Sequence, residues 1–353
     1  MTPRRQAVAL TIGLTVAIGY GSATVRTDDP VSSNVRFTGE IVRIFSRKCE
    51  PCHTGGGLAM PLSNYRDARA WSRAIREEIV EQRMPPAPAA RGYGRFRNDL
   101  SLTARETLTV LSWIDGGMPR GDDKELPAPA APGEHRTPDL RMALPAQRVP
   151  ALEDQLVRRV TIPAAGLDPA RAIARIAIAP GSASVVRGAF VYAVTPGAGP
   201  RWIGAWLPWQ HDAAPPDGHG FTLPRGAQFS VDLHYRGADS DVTDTTFVEV
   251  YYAAPNARKV DQLTVGAEAA RLAAAASVWA IVPSTGSGTT SLQVTARRPD
   301  GSTDILLWMP KMHHEWPQAL VLDAPVRLPA GTTVSLITHP ADAAARVRLS
   351  LLP

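Results

Sequence analysis

Two cysteines are all that the 353 residues contain. That scarcity excludes a disulfide-stapled scaffold, an iron–sulfur cluster and a four-thiolate zinc site. Runs of five or six basic residues are also missing, although the formal charge is +5. The arginines are scattered and no nucleic-acid signature accompanies them, so nucleic acid is not an expected partner. Nor does any apolar run reach the ~20 residues that a membrane-spanning helix needs. The short run from Ala7 to Ile18 follows Arg4-Arg5 and precedes Gly21-Ser22-Ala23, the three-part layout of a secretory signal peptide. Residues 1–23 are therefore read as a signal peptide, with the mature chain starting near Thr24 in the periplasm. An uncleaved N-terminal membrane anchor is the alternative, and twin-arginine export fits the residues after Arg5 poorly.

What is present is ordinary globular composition, 44% hydrophobic and 20% charged, with 32 Pro and 28 Gly that point to many turns and short strands. The length suggests two or three domains of roughly 100–200 residues each. Residues 35–124 read as short helices. Ile41, Ile44 and Phe45 form an apolar stripe leading into Cys49, and Trp71, Ile75 and Ile79 mark a second. A third helix fits Leu102 to Ile114, with Ser101 and Thr103 ahead of Glu106 as capping residues and Gly116-Gly117 past its end. Residues 125–150 are rich in Pro and Ala, show no periodic apolar pattern and read as a semi-extended linker. Beyond them, runs such as Phe229 to Tyr235, Thr246 to Tyr252 and Thr333 to Ile337 alternate like sandwich strands, and a break near Ala254 to Asp261 divides them. The expected units are 151–256 and 257–353. No internal repeat of fixed period is present.

Both cysteines fall in Cys49-Glu50-Pro51-Cys52-His53. Two thiols at this spacing followed by His suit covalent haem attachment, with thioethers to the vinyl groups and the imidazole on iron. A lone disulfide or a metal pair would leave His53 unexplained. One haem c is the ceiling. The second axial ligand is sought among Met60, Met84 and Met118. Met60 follows the Gly55-Gly56-Gly57 loop closely and Met118 lies beyond the last helix, so both are read as core filler. Met84 precedes Pro85-Pro86, whose fixed φ holds an extended loop, and is the preferred ligand.

Around that motif, Gln82-Arg83-Met84-Pro85-Pro86, Tyr93-Gly94-Arg95-Phe96-Arg97-Asn98-Asp99, Leu102, Glu106, Trp113-Ile114-Asp115-Gly116 and Pro119-Arg120-Gly121-Asp122 resemble a bacterial cytochrome c domain. The resemblance implies thioethers on Cys49 and Cys52 and axial ligation by His53 and Met84. In that family the domain is often fused to a module like the copper type II, ascorbate-dependent monooxygenases. Here Gly204-Ala205-Trp206, Leu223-Pro224-Arg225-Gly226, Val231-Asp232-Leu233-His234-Tyr235 and Asp244-Thr245-Thr246 resemble the first sandwich of the peptidylglycine- and dopamine-hydroxylating enzymes. Pro299-Asp300-Gly301 and Leu328-Pro329-Ala330-Gly331 resemble the second. The implied fold is multidomain: a small all-α cytochrome c domain followed by two all-β jelly-roll-like sandwiches.

Those enzymes hold one copper ion in each sandwich. Of the ligands the resemblance implies, His234 is retained as a candidate copper ligand. The expected His-His pair is replaced by Arg187-Gly188, and guanidinium offers copper no lone pair. Pro283 is followed by Ser284-Thr285-Gly286 where a His-x-His is expected, and no methionine follows His339. Copper is therefore not expected. His211, His219, His313, His314 and His339 are read as loop or surface residues, because neighbours such as His313 and His314 point to opposite faces of a strand. Trp202, Trp206, Trp209 and Trp279 are assigned to packing. The functional expectation is an exported single-haem carrier of single electrons whose β module serves docking or assembly, its partner a periplasmic or membrane-bound redox protein or a larger complex. The alternatives are a haem-fed copper monooxygenase with rearranged ligands and a haem-based gas sensor.

Overall fold

A computed structural model describes residues 34–86, 89–128, 136–210 and 213–353. The expected signal peptide and His211 lie outside them. Strand outweighs helix, 37% against 14%, which is the balance of β-sandwich domains accompanied by a few helices. No helix among the described residues is long and apolar enough to cross a membrane.

The helices come first. A π-helical turn, Phe37–Ile41, runs directly into α1 (Val42–Lys48), and α2 (Tyr65–Ala70), α3 (Ser72–Val80) and α4 (Ala104–Asp115) follow. Ile41, Ile44 and Phe45 are all buried, as their spacing on one helical face requires. Thr103 caps α4: its hydroxyl accepts from the Glu106 amide at 3.0 Å while the Glu106 carboxylate accepts from the Thr103 amide at 2.8 Å. From α4, Trp113 is fully buried against Phe37 and Phe45, and its indole N–H donates to the Pro119 carbonyl at 3.1 Å. Trp71 departs from the apolar stripe assigned to it and is 45% exposed. It sits at the break between α2 and α3, with ψ near 5°, so the buried face begins only at Ile75.

The β part begins earlier than its expected start at residue 151. Strands β1 (Leu140–Ala143), β2 (Gln147–Val149), β3 (Leu156–Pro163), β4 (Ile173–Ala179), β5 (Val186–Val194) and β6 (Arg201–Trp206) are followed by β7 (His219–Gly220), β8 (Gln228–Tyr235), β9 (Val242–Asp244), β10 (Phe247–Tyr252) and β11 (Arg258–Lys259). Three strands in the order β1-β10-β4 and four in the order β3-β8-β5-β6 supply side chains to one core. The expected linker at 125–150 is thus corrected in its second half: β1 and β2 pair with β10 and β9, and Leu144 and Val149 are buried. Their strands are too short, and too close to prolines, for alternation to stand out.

The second half holds β12 (Asp261–Val265), β13 (Ala270–Arg271), β14 (Ala276–Ser284), β15 (Ser291–Arg297), β16 (Thr303–Met309), β17 (Leu320–Leu328), β18 (Thr333–His339) and β19 (Arg346–Leu352). They form two four-stranded antiparallel sheets, β12-β19-β14-β17 and β13-β18-β15-β16, around a core of their own. Trp202 of the first half and Trp279 of the second are each 1% exposed, with rings 5.7 Å apart and Phe221 beside both, so tryptophan packing joins the two halves.

A segment between α3 and α4 leaves the helical part and covers two sheet edges. The Ala90 amide donates to Trp308 on edge strand β16 at 2.7 Å; the Arg97 amide donates to Val321, and the Asp323 amide to Arg95, each at 2.8 Å along edge strand β17. Phe96 inserts into the second core at 8% exposure and Tyr93 stands edge-on to Trp308 at 5.0 Å. Phe96→Ala should cost about 3 kcal/mol of stability, measured as a lower denaturation midpoint by tryptophan fluorescence.

Candidate functional site

α1 ends in a tight turn that gathers the CxxCH side chains. The Cys49 amide continues the helix by donating to Phe45 at 2.8 Å, and the Cys52 and His53 amides both fold back onto the Cys49 carbonyl at 3.1 Å. Both thiols are free, and with His53 they line one cavity of about 280 Å³. Its helical walls include Leu58, Leu62, Ile75, Ile79, Leu100 and Leu102. Burial pushes both Cys49 and Cys52 up to about 12, so they are neutral thiols at ordinary pH. Burial also lowers the His53 pKa and keeps the imidazole neutral. The Met60 carbonyl, an acceptor only, lies 2.9 Å from His53 Nδ1, which makes Nδ1 the protonated nitrogen and leaves the Nε2 lone pair free to ligate.

Met84 reaches the same cavity from the end of α3. The amides of Arg83 and Met84 both donate to the Glu78 carbonyl, at 2.9 and 3.2 Å, and Gln82 takes a left-handed φ of 55° to allow this tight exit. The Arg83 guanidinium meets the Glu78 carboxylate at 2.9 and 3.0 Å and fixes the loop further. Met60 lines the cavity too. Met118 does not: it packs on the helical core, and its carbonyl accepts the Tyr65 hydroxyl at 2.9 Å. The residues that could hold a haem are thus brought together as Cys49, Cys52, His53 and Met84, with Met60 as a second methionine within the same walls.

The remaining wall comes from the β part: Arg187, Arg236, Glu315 and Trp316. Arg187 gets there through a β-bulge. In the β5–β8 ladder Val186 pairs with Tyr235 and Gly188 with His234, leaving Arg187 as the extra residue, and such bulges re-aim side chains. Gly188 beside it leaves little room for a side chain, since a Cβ there would lie 3.0 Å from the Leu207 side chain and 3.2 Å from Pro317. Arg187 is 7% exposed, stacks over the Trp316 ring at 5.0 Å, and has no partner for its Nε.

Trp316 is shared with a second cavity of about 190 Å³ lying between the two β halves, lined also by His234, Ser284, Thr285, Met312, His313 and His314. His313 and His314 lie in the loop between β16 and β17, as expected, and both line one cleft. His313 is buried, 3.4 Å from the Glu315 carboxylate, and His219 is buried in β7 against the Pro216 and Asp217 carbonyls, so neither is a surface histidine; His339 is exposed. His314 Nε2 lies 2.6 Å from the Thr289 carbonyl. His234 stands edge-on to Phe190 at 5.7 Å. Among the described residues no three or more His, Cys, Asp or Glu side chains are grouped to hold an ion. The cavity-facing role of Arg187 and Trp316 was missed by sequence reasoning, since a bulge and a loop residue leave no periodic signal. No family model and no curated protein matches this chain.

Burial lowers His234 from its ordinary 6.5 to about 4 against the smaller opposing pull of Asp232. The unfolded chain therefore takes up a proton at higher pH than the folded protein, and folded stability falls as pH drops from 6.5 to 4. His234→Gln should remove on the order of 2 kcal/mol from the loss seen between pH 7 and pH 4.5, measured by urea unfolding at both values.

Proposed function

We propose that this chain is an exported single-haem c-type cytochrome that carries single electrons, and that its β part is a copper-monooxygenase-like module used for docking or assembly. The observation that carries the reading is the convergence of both thiols, an imidazole with a free Nε2 and the Met84 side chain on one apolar cavity. When bound, haem c supplies a one-electron iron couple. Residues 35–124 are then a small all-α cytochrome c domain. Cys49 and Cys52 would hold the haem as thioethers, and His53 would ligate iron through Nε2, its ring oriented by the Met60 carbonyl. Met84 would supply the second iron ligand, and a thioether there favours a higher potential than imidazole would. Leu62, Ile75, Ile79, Leu100 and Leu102 keep water from the site, which is a further control on potential. The electron passes to a redox protein of the periplasm or of the membrane facing it.

One observation favours a second reading, a haem-fed copper-dependent monooxygenase with rearranged ligands: Trp316 is a wall both of the CxxCH cavity and of the cleft holding His234, Met312, His313 and His314. Copper content separates the two, since stoichiometric copper retained after dialysis supports the monooxygenase and metal-free cleft residues with a reversible haem couple support the carrier. Cys49→Ala with Cys52→Ala should abolish haem staining of the denatured polypeptide. Met84→Ala should keep the staining and lose the weak far-red band of Met-ligated ferric haem; an unchanged band would transfer the ligand role to Met60, tested by Met60→Ala.

A further inference from the structure

We propose that Arg187 and Arg236 of the β part bind the propionate carboxylates of the haem, so that the cofactor is held from both sides of the junction between helical and β parts. The inference rests on the haem reading above and asks which residues outside residues 35–124 serve that cofactor. Its first support is Arg187 itself, a guanidinium at 7% exposure on the wall of the CxxCH cavity, with an Nε that no group among the described residues satisfies. A buried, unpartnered donor on a charged group is costly, and its natural complement is a carboxylate, which guanidinium binds by two parallel hydrogen bonds. Its one donated bond among the described residues is long, 3.3 Å from Nη1 to the Asp154 carbonyl. A bulge delivers this side chain to the cavity, and a plain ladder at Val186 to Gly188 would not have one residue to spare.

The second support is charge. The ionised groups lining the cavity are Lys48, Arg83, Arg187 and Arg236 against Glu78 and Glu315. Arg83 is held by Glu78 and Lys48 donates to the Asp99 carbonyl, while Arg187 and Arg236 stand close enough to repel one another and only Glu315 and, behind the wall, Asp154 oppose them. The four cations of the lining exceed its two carboxylates by two charges, Lys48 contributing one of them, and a haem brings two carboxylates.

The test uses holoprotein purified from an exporting host, with midpoint potential measured against pH for the wild type, Arg187→Gln, Arg236→Gln and Arg236→Lys. Loss of a cation beside a propionate raises the pH at which that carboxylate ionises and removes positive charge that favours the reduced iron. The Gln variants should therefore lower the midpoint at pH 7 and move the bend in the potential–pH curve upward by about one pH unit, whereas Arg236→Lys should keep the wild-type bend. Haem-loaded Gln variants with the wild-type curve would overturn the proposal. So would a saturable spectral change on adding inorganic phosphate to the wild type that Arg187→Gln abolishes, since the pair would then serve a free anion. Arg236 is exposed, so its variants carry the test even where Arg187→Gln fails to fold. Absence of covalent haem in the wild type defeats the underlying reading instead, and is seen beforehand by staining.

Discussion

A cavity with walls from two separately built parts exists only while those parts stay docked. Here the docking is a strand-like exchange of backbone hydrogen bonds between residues 90–97 and the edges of the second sandwich, backed by Phe96 in its core. Asn98 extends the contact, donating to the Ala319 carbonyl and to Gln210 and accepting from the Val321 amide. Backbone bonds of this kind tolerate side-chain change yet fix register. They set the turn around Trp316, and with it the far wall of the CxxCH cavity.

The β5 bulge is the other device on which the site depends. It lets one strand serve two faces: Gly188 keeps the ladder with His234 toward the cleft, while Arg187 turns to the helical side. The Asp244 carboxylate, buried and accepting from Tyr235 and Thr246 at 2.8 Å and from the Ser182 amide at 2.8 Å, anchors the chain entering that strand. A buried acceptor satisfied by three donors gives the first sandwich a fixed reference point.

The near wall of the site was legible in the sequence because its grammar is local. CxxCH is a single turn, the α4 cap is a four-residue pattern, and Met84 is marked by the prolines that follow it. The far wall was not, because Arg187 reads in sequence as a missing histidine, and only the two-against-one count in the ladder turns it toward the helices. The same limit applies to the fold: long alternating strands such as β8 and β10 were readable, while β1 and β2, four and three residues long amid prolines, are strands only because β10 and β9 lie beside them. The burial of His313 within its loop was not legible, because it comes from packing and not from local pattern.

The strap from 90 to 97 lies on β16 and β17, which are the outer strands of their respective sheets on the same side of the second sandwich. Uncovered, each would offer a row of free amides and carbonyls to any passing chain. In the folded chain the strap occupies part of both edges, one of the ways a sheet is kept from pairing edge to edge. Boundaries drawn through this chain by composition would cut it into pieces of which one is prone to polymerise.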